Sequence, residues 1–360
     1  MGSIRDFALR VLLGLVLACF VSPLAWAQEA FYKGKRLTVL VNYAAGGPTD
    51  VEARLFAKFL VRYLEGEPNV IVQNMDGAGG LIGANYLGEI APRDGTTIGY
   101  FSGAAWQSAS DPRARKIDFR SYEFVSYQPG TSIYFVRADV APGMKTATDI
   151  GRAQGLISGG VGVDNAKDIL LRLTADMLGV ASKHVTGYKG SQGARLALQQ
   201  GEINYYSEGP AAYRSVIEPS VIAKKEAIPI FYDPAYNGVS FRASRQMEGL
   251  DILPFQELYK KIKGVEPSGD LWKAYLSIIA LSGSMQRLIV MPPGAPTAGV
   301  EAVRRALDRM VSDKIFQEEC TALGFLPEFV TEDGVNDQVR KALTVSPDMK
   351  KFIHDYAQTR

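Results

Sequence analysis

The stretch "VNYAAGGPTDVEARLFAKFL", residues 41–60, joins an apolar strand to an amphipathic helix through two glycines and a proline. Residues 36–43 read as the strand. Past the turn, Val51, Leu55, Phe56, Phe59, Leu60, Tyr63 and Leu64 recur at three- and four-residue spacing, and Glu52, Arg54, Lys58 and Arg62 take the opposite face, which predicts a helix over 51–64. Gly46 and Gly47 carry no side chains, so a ligand can approach the backbone closely. Pro48 suits the first helical position, and Thr49 with Glu52 fits a capping box. The first-turn N–H groups carry roughly half a positive charge and point at the strand end. Two readings of the turn stand side by side: an anion site, or an ordinary capped connection. Asp50 reads first as a first-turn carboxylate that complements the helix dipole, and second as a general base.

The same logic extends outward in both directions. Residues 69–73 predict a second strand, DGAGG a tight turn, 81–90 a helix and 96–101 a third strand. A later unit repeats it, with strands over 132–137 and 156–158. There SGGVGVDN leads to a helix capped by Asp164 or Asn165 and stopped by Gly179. A further helix spans 191–200, and strands are expected at 203–206 and 227–232. From about residue 250 the chain reads as mostly helical, apart from a strand at 288–291. Strands alternating with helices argue for parallel sheets in an α/β fold. Two such units facing each other leave a cleft at the carboxyl ends of their strands.

Composition excludes several classes. The chain has 360 residues, with 40 basic against 38 acidic, so no single-sign excess points to nucleic acid. DGAGGLIG does not fit a dinucleotide fingerprint, because the third glycine would fall at Ile82. No phosphate-loop or zinc spacing is present, so no cofactor and no metal is expected. With two histidines, His184 and His354, and no G-x-S-x-G, a Ser/His/Asp arrangement has no sequence support. The chain therefore reads as a binding protein rather than an enzyme, with a hydrolase or lyase using Asp/Glu chemistry on the same two-domain scaffold as the competing reading.

The start of the chain has its own pattern. Arg5 and Arg10 precede an apolar run over 11–21, then Pro23 and Ala25-Trp26-Ala27. That run is too short for a membrane span, which needs about 20 residues. It predicts a signal peptide over 1–27, cleaved after Ala27 for export to the periplasm. The competing reading is a lipoprotein box ending at Cys19. Cleavage leaves Cys320 alone, in a helical pattern, as a buried small hydrophobe.

These pieces resemble the substrate-binding receptors of tripartite tricarboxylate transporters, the Bug-type periplasmic proteins. The resemblance runs in order along nearly the whole mature chain. It rests on Tyr43-Ala44-Ala45-Gly46-Gly47-Pro48-Thr49-Asp50, on Asn74 through Gly83, on Gly187-Tyr188-Lys189-Gly190, on Gly201-Glu202-Ile203-Asn204, and on Pro292 through Pro296. It implies a two-domain, type II-like Venus-flytrap fold with two hinge strands. The domains would be 28–130, 131–235 and a return of the first over 236–360, with crossings near 128–136 and 230–245. It implies a monomer that captures a small organic carboxylate and delivers it to a membrane permease, or that reports it to a signalling protein. The implied contacts are Tyr43 through Asp50 and Ser102, Gly103 and Ala104 in the first domain. In the second they are Gly159 to Asn165 (Gly160, Val161, Asp164 and Asn165 among them), Tyr188, Gly190, Ser207 and Glu208. Departures from the family pattern are Asn42, the Gly-Gly-Val-Gly-Val-Asp-Asn turn with its Asp164, and residues 255–285, which resemble a longer branch.

Overall fold

The computed structural model describes residues 30–110, 117–188, 190–242, 244–332 and 334–358. The expected leader, its Cys19 alternative and Lys189 lie outside them. Strands β1 (Arg36–Val41), β2 (Asn69–Asn74), β3 (Thr97–Ser102) and β4 (Glu123–Gln128) open the first sheet. The chain then crosses at 129–132 into β5 (Ile133–Arg137), β6 (Leu156–Gly159), β7 (Ser182–Val185), β8 (Tyr205–Glu208) and β9 (Ala227–Tyr232). A small hairpin follows, β10 (Ala235–Tyr236) and β11 (Phe241–Arg242), and β12 (Arg287–Met291) returns to the first sheet.

The sheet orders are β2-β1-β3-β12-β4 and β7-β6-β8-β5-β9. Each thus holds three consecutive strands, one strand that arrives from the other unit, and a last strand at the edge. The sheets are mixed rather than wholly parallel. β1 runs parallel with β2 and β3, and β6 with β7 and β8. The arriving strands β12 and β5 run antiparallel to both neighbours. A short crossing cannot turn the chain around a helix, so the strand it delivers enters against the others.

Helix α1 (Pro48–Tyr63) follows β1, α2 (Leu81–Glu89) follows β2, and α3 (Ala104–Ser110) follows β3. In the second unit α4 (Ala166–Met177) follows β6 and α5 (Gly190–Gln200) follows β7. Strand β1 is central and covered on both faces, so it reads as a continuous apolar run.

Residues 236–360 do not all pack with the first sheet. Arg242 reaches Glu332 at 3.0 Å and the Tyr127 hydroxyl at 3.4 Å, on the first-sheet side. Helices α6 (Phe255–Lys263) and α7 (Gly269–Ile278) instead pack on the second. The Phe255 ring lies 4.8 Å from Phe231 and 4.9 Å from Tyr275, and Trp272 stacks on Tyr275 at 5.1 Å. Phe255 packs this aromatic face against Phe231 of β9, which draws the segment to the second sheet. The chain therefore meets the first-sheet side at 242–246, where Gln246 also bonds Leu326 O, goes back to the second sheet for α6 and α7, and enters the first sheet again at 283–286. There Gly130 N–H donates to Gly283 O at 2.9 Å, so this last return runs beside the crossing at 129–132.

After β12, α8 (Thr297–Val311) and α9 (Lys314–Ala322) cover α1, and α10 (Val335–Leu343) covers β4. The last helix, α11 (Pro347–Gln358), ties to α4: Arg172 donates to Ala357 O at 3.0 Å and the Tyr356 hydroxyl to Asp176 at 2.6 Å. Cys320 is fully buried, and burial pushes its thiol up to about 12, so it behaves as a core hydrophobe.

Candidate functional site

The carboxyl ends of β1 and β3 form the first rim. Asn42 and Ser102 exchange two hydrogen bonds of 3.0 Å, side-chain amide to backbone in both directions. That amide bridge replaces the missing ladder where the two strands diverge. The Tyr43 hydroxyl donates to Gly79 O at 3.1 Å, and Asn74 donates to Tyr43 O at 2.9 Å. The glycine turns of residues 43–50 and 74–83 are thus laced into one surface.

Asp50 is the centre of that surface, 2% exposed. Its Oδ2 accepts from Gly46 N–H at 2.8 Å and from Arg54 Nε at 2.9 Å, and its Oδ1 from Asn74 at 2.9 Å. Burial works to raise its pKa, but the bonds from Arg54, Gly46 and Asn74 outweigh it and hold the carboxyl at about 2. The structure therefore gives Asp50 an anchoring role. It takes the Gly46 amide, Gly47 N–H donates to Ala44 O at 3.4 Å, and Pro48 has no N–H. The donors that helix geometry leaves open are those of Thr49 and Asp50 in the first turn. Ala44, Ala45, Gly46 and Pro48 are exposed, whereas Thr49 is buried.

The second rim lies at the ends of β6 and β8. Gly160 N–H donates to Val185 O at 2.9 Å, and Tyr188 N–H to Gly160 O at 3.1 Å, which places Tyr188 beside the turn. Asp168, in the first turn of α4, accepts from Gly162 N–H at 2.7 Å. It repeats the device of Asp50: a first-turn carboxylate reaching back to a glycine amide. Asn165 caps α4, its side chain accepting from Lys167 N–H at 3.0 Å. Val161, Asp164 and Gly190 are exposed, and Asp164 accepts from Gln358 at 3.2 Å. Ser207 Oγ is buried without a hydrogen-bond partner. Ala104 is buried and Gly103 adopts φ +67° between β3 and α3, a conformation that favours glycine. Glu208 faces two cations, Arg195 at 3.4 Å and Lys167 at 3.9 Å.

Sequence reasoning missed Arg54, Arg195, Lys167 and Arg287 as rim cations. Helical spacing put Arg54 on a polar face without showing its partner. Arg195 and Lys167 meet Glu208 only through tertiary packing. A Ser–His–Asp chain also emerges that no motif announced. Ser158 Oγ lies 2.8 Å from His184 Nδ1, and His184 Nε2 lies 3.6 Å from Asp168 Oδ2. Ser158 is fully buried, and the second contact is too long for a hydrogen bond. No substrate reaches that serine, so the chain ties β6, β7 and α4 together rather than forming a nucleophile. Among the described residues, no group of three His, Cys, Asp or Glu could hold a metal ion.

The turn at Gly160 gives a sharp expectation. A Cβ there would lie 1.9 Å from Asp168 Oδ1. Gly160→Ala must push the Asp168 carboxylate off the Gly162 amide, at about 1–3 kcal/mol for forced repacking. Chemical unfolding of the variant measures it. A cost under a few tenths would show that the Asp168 anchor contributes nothing.

Two five-stranded mixed sheets, two paired crossings and two glycine-rich rims define the two-lobed α/β fold of extracytoplasmic solute-binding proteins. Comparison with known proteins agrees. A TctC solute-binding protein from Polaromonas matches with a TM-score of 0.66 at 18% identity, over 90% of this chain and 99% of that one. Rpa4515 of R. palustris, solved with adipate, matches at 0.61 and 17% identity, over 90% and 97%. The periplasmic binding protein BugD matches at 0.55 and 19%, over 91% and 97%. At these identities the likeness establishes the fold, and it bears out the resemblance to TctC- and Bug-type proteins read from the motifs. By sequence, a UPF0065 protein of the TAR-I ttuE-ttuC' intergenic region in Agrobacterium vitis is 32% identical over 203 residues, 54% of this chain and 56% of that protein. The chain spans about half the length of the curated relatives it matches. No family model matches the chain. No helix among the described residues is long and apolar enough to cross a membrane.

Proposed function

We propose that this protein is a periplasmic receptor that captures a small organic carboxylate between the two rims and delivers it to the membrane permease of a tripartite tricarboxylate-type transporter. The observation that carries the reading is the doubled rim. Each sheet ends in a glycine-rich turn at a helix N-terminus, where open amides and a helix dipole favour an anion. A neighbour of the same fold holds adipate, a carboxylate of the proposed class. The ligand's proximal carboxylate would meet the first turn of α1, around Thr49, with Tyr43 and Ser102 beside it. The two crossings act as the hinge, and the receptor works as a monomer.

Native mass spectrometry of the exported protein tests this in one measurement. The polypeptide mass should correspond to a chain beginning at Gln28, and a second species should carry a bound small acid. A diacylglycerol-modified Cys19 would replace the soluble form with an anchored one. A protein that carries no acid, and binds none on titration with mono- and dicarboxylates, would overturn the reading.

A further inference from the structure

Strand β12 enters the first sheet between β3 and β4, and its first residue, Arg287, lies directly opposite Ser102 at the end of β3. Directly opposed residues of an antiparallel pair put their side chains on one face, close enough to touch. Arg287 Nη1 donates to Ser102 Oγ at 3.0 Å and to Gln286 O at 3.4 Å. Its Nε and Nη2 donate to the two oxygens of Glu52 at 2.7 Å each. Of the five N–H groups of a guanidinium, four therefore have protein acceptors. The side chain is 10% exposed and Glu52 neutralises it, so Arg287 presents no net charge to a ligand.

What the guanidinium fixes is a proton. It occupies one lone pair of the Ser102 oxygen, which leaves the O–H to point away from it. The Ser102 backbone is already committed, its N–H donating to Asn42 Oδ1 and its carbonyl accepting from Asn42 Nδ2. Among the described residues no group accepts the Ser102 hydroxyl proton. Ser102 is half-buried at the first rim, so that proton is left for a group in the cleft. A hydroxyl that accepts from a charged donor is polarised and donates more strongly.

The same guanidinium withdraws Glu52 from the helix start. A capping box of Thr49 and Glu52 would return the carboxylate to the Thr49 N–H. In the structure α1 has no side-chain cap, and Glu52 reaches β12 instead. The Thr49 amide thus stays open to an incoming anion.

Resting on the carboxylate reading above, we infer that Arg287 is a positioning residue for ligand binding: through the Ser102 oxygen it aims the Ser102 hydroxyl proton at the ligand carboxylate, without touching the ligand itself. The first residue of the returning strand thereby sets a donor on the rim of its neighbour.

The probes are acetate, succinate, adipate and benzoate, titrated calorimetrically into the full exported protein. The acid that binds the parent most tightly carries the comparison. Ser102→Ala should weaken it about tenfold, about 1.4 kcal/mol. The Arg287→Met, Glu52→Leu double variant exchanges the ion pair for apolar groups, leaves the net charge unchanged and has no Glu52 carboxylate to cap Thr49. It should weaken binding at least threefold while its melting shows that the fold is kept. A merely structural Arg287 predicts instead that affinity returns with stability. Adding Ser102→Ala to the double variant should bind no worse than Ser102→Ala alone, because one aimed proton is lost in both, whereas independent effects multiply. If the apolar pair does not fold, Arg287→Leu with Glu52→Met fills the same space and is read the same way. A Ser102→Ala or double variant that binds within threefold of the parent, or losses that multiply in the triple variant, overturns the positioning role and leaves the carboxylate reading intact. A parent that binds none of the four acids removes both.

Discussion

Replacing Arg287 with methionine is expected to lower the unfolding free energy by about 3–5 kcal/mol, the cost of breaking a buried ion pair from one side. Arg287 and Glu52 are 10% and 17% exposed. Two parallel bonds of 2.7 Å join Nε and Nη2 to the two carboxylate oxygens, and Nη1 donates to Ser102 Oγ at 3.0 Å. Burial works against the charged guanidinium, but Glu52 outweighs it and the pKa is raised. Methionine would strip both guanidinium bonds from the Glu52 carboxylate beneath the first rim and leave it the Tyr100 hydroxyl at 3.3 Å. Adding Glu52→Leu should recover most of the loss, because two apolar groups need no desolvated charge. Urea unfolding of the parent, both single variants and the double variant measures the cycle. A single-variant cost below about 1 kcal/mol, in the range of exposed pairs, would show that the pair adds nothing.

That pair marks where sequence reading stops. Helical spacing placed Glu52 on the polar face of α1, beside Arg54 and Lys58, because local periodicity sees only neighbours within a turn or two. Its partner is 235 positions away. The strands β1, β2, β3 and β9 were legible because they are apolar and bounded by glycines or helices. β4 was not, since EFVSYQ mixes polar residues into a strand buried by α10 and β12. β7, with the sequence SKHV, is a half-exposed edge with no apolar run to announce it. The glycine turns were legible as turns. What fills them was not, because a first-turn carboxylate reads the same whether it complements a dipole, meets a ligand or, as Asp50 does, bonds back to its own glycine. The placement of α6 and α7 on the second sheet depended on an aromatic face whose partner, Phe231, lies on β9.

Raising the pH from about 4 to about 7 is expected to remove stability that protonated Asp233 contributes, and Asp233→Asn to flatten the slope by that contribution. Asp233 is 3% exposed. The hydroxyls of Tyr134 and Tyr275 donate to its two carboxylate oxygens at 2.9 and 2.8 Å. Its backbone joins the first crossing: Asp233 N–H donates to Ser132 O at 3.0 Å and the Thr131 hydroxyl donates to Asp233 O at 2.5 Å. Burial raises the carboxyl from 3.8 to about 7, and the two tyrosine bonds offset only part of that. In the unfolded chain the group loses its proton near pH 4, whereas in the fold it keeps it to about pH 7. Between those limits the folded state binds more protons, so stability falls as pH rises and is flat outside the window. A shift of about 3 units is worth roughly 4 kcal/mol at full extent. Asparagine keeps the shape and carries no charge, and one tyrosine hydroxyl turns to accept from its amide. Asp233→Asn should therefore exceed the parent in stability at pH 8 and not at pH 4, as read by urea unfolding at both. Equal pH slopes in the two proteins would show that Asp233 does not titrate in this window. The group sits where the first crossing, β9 and α7 meet, so its ionisation acts on the joint between the two sheets and not on either rim.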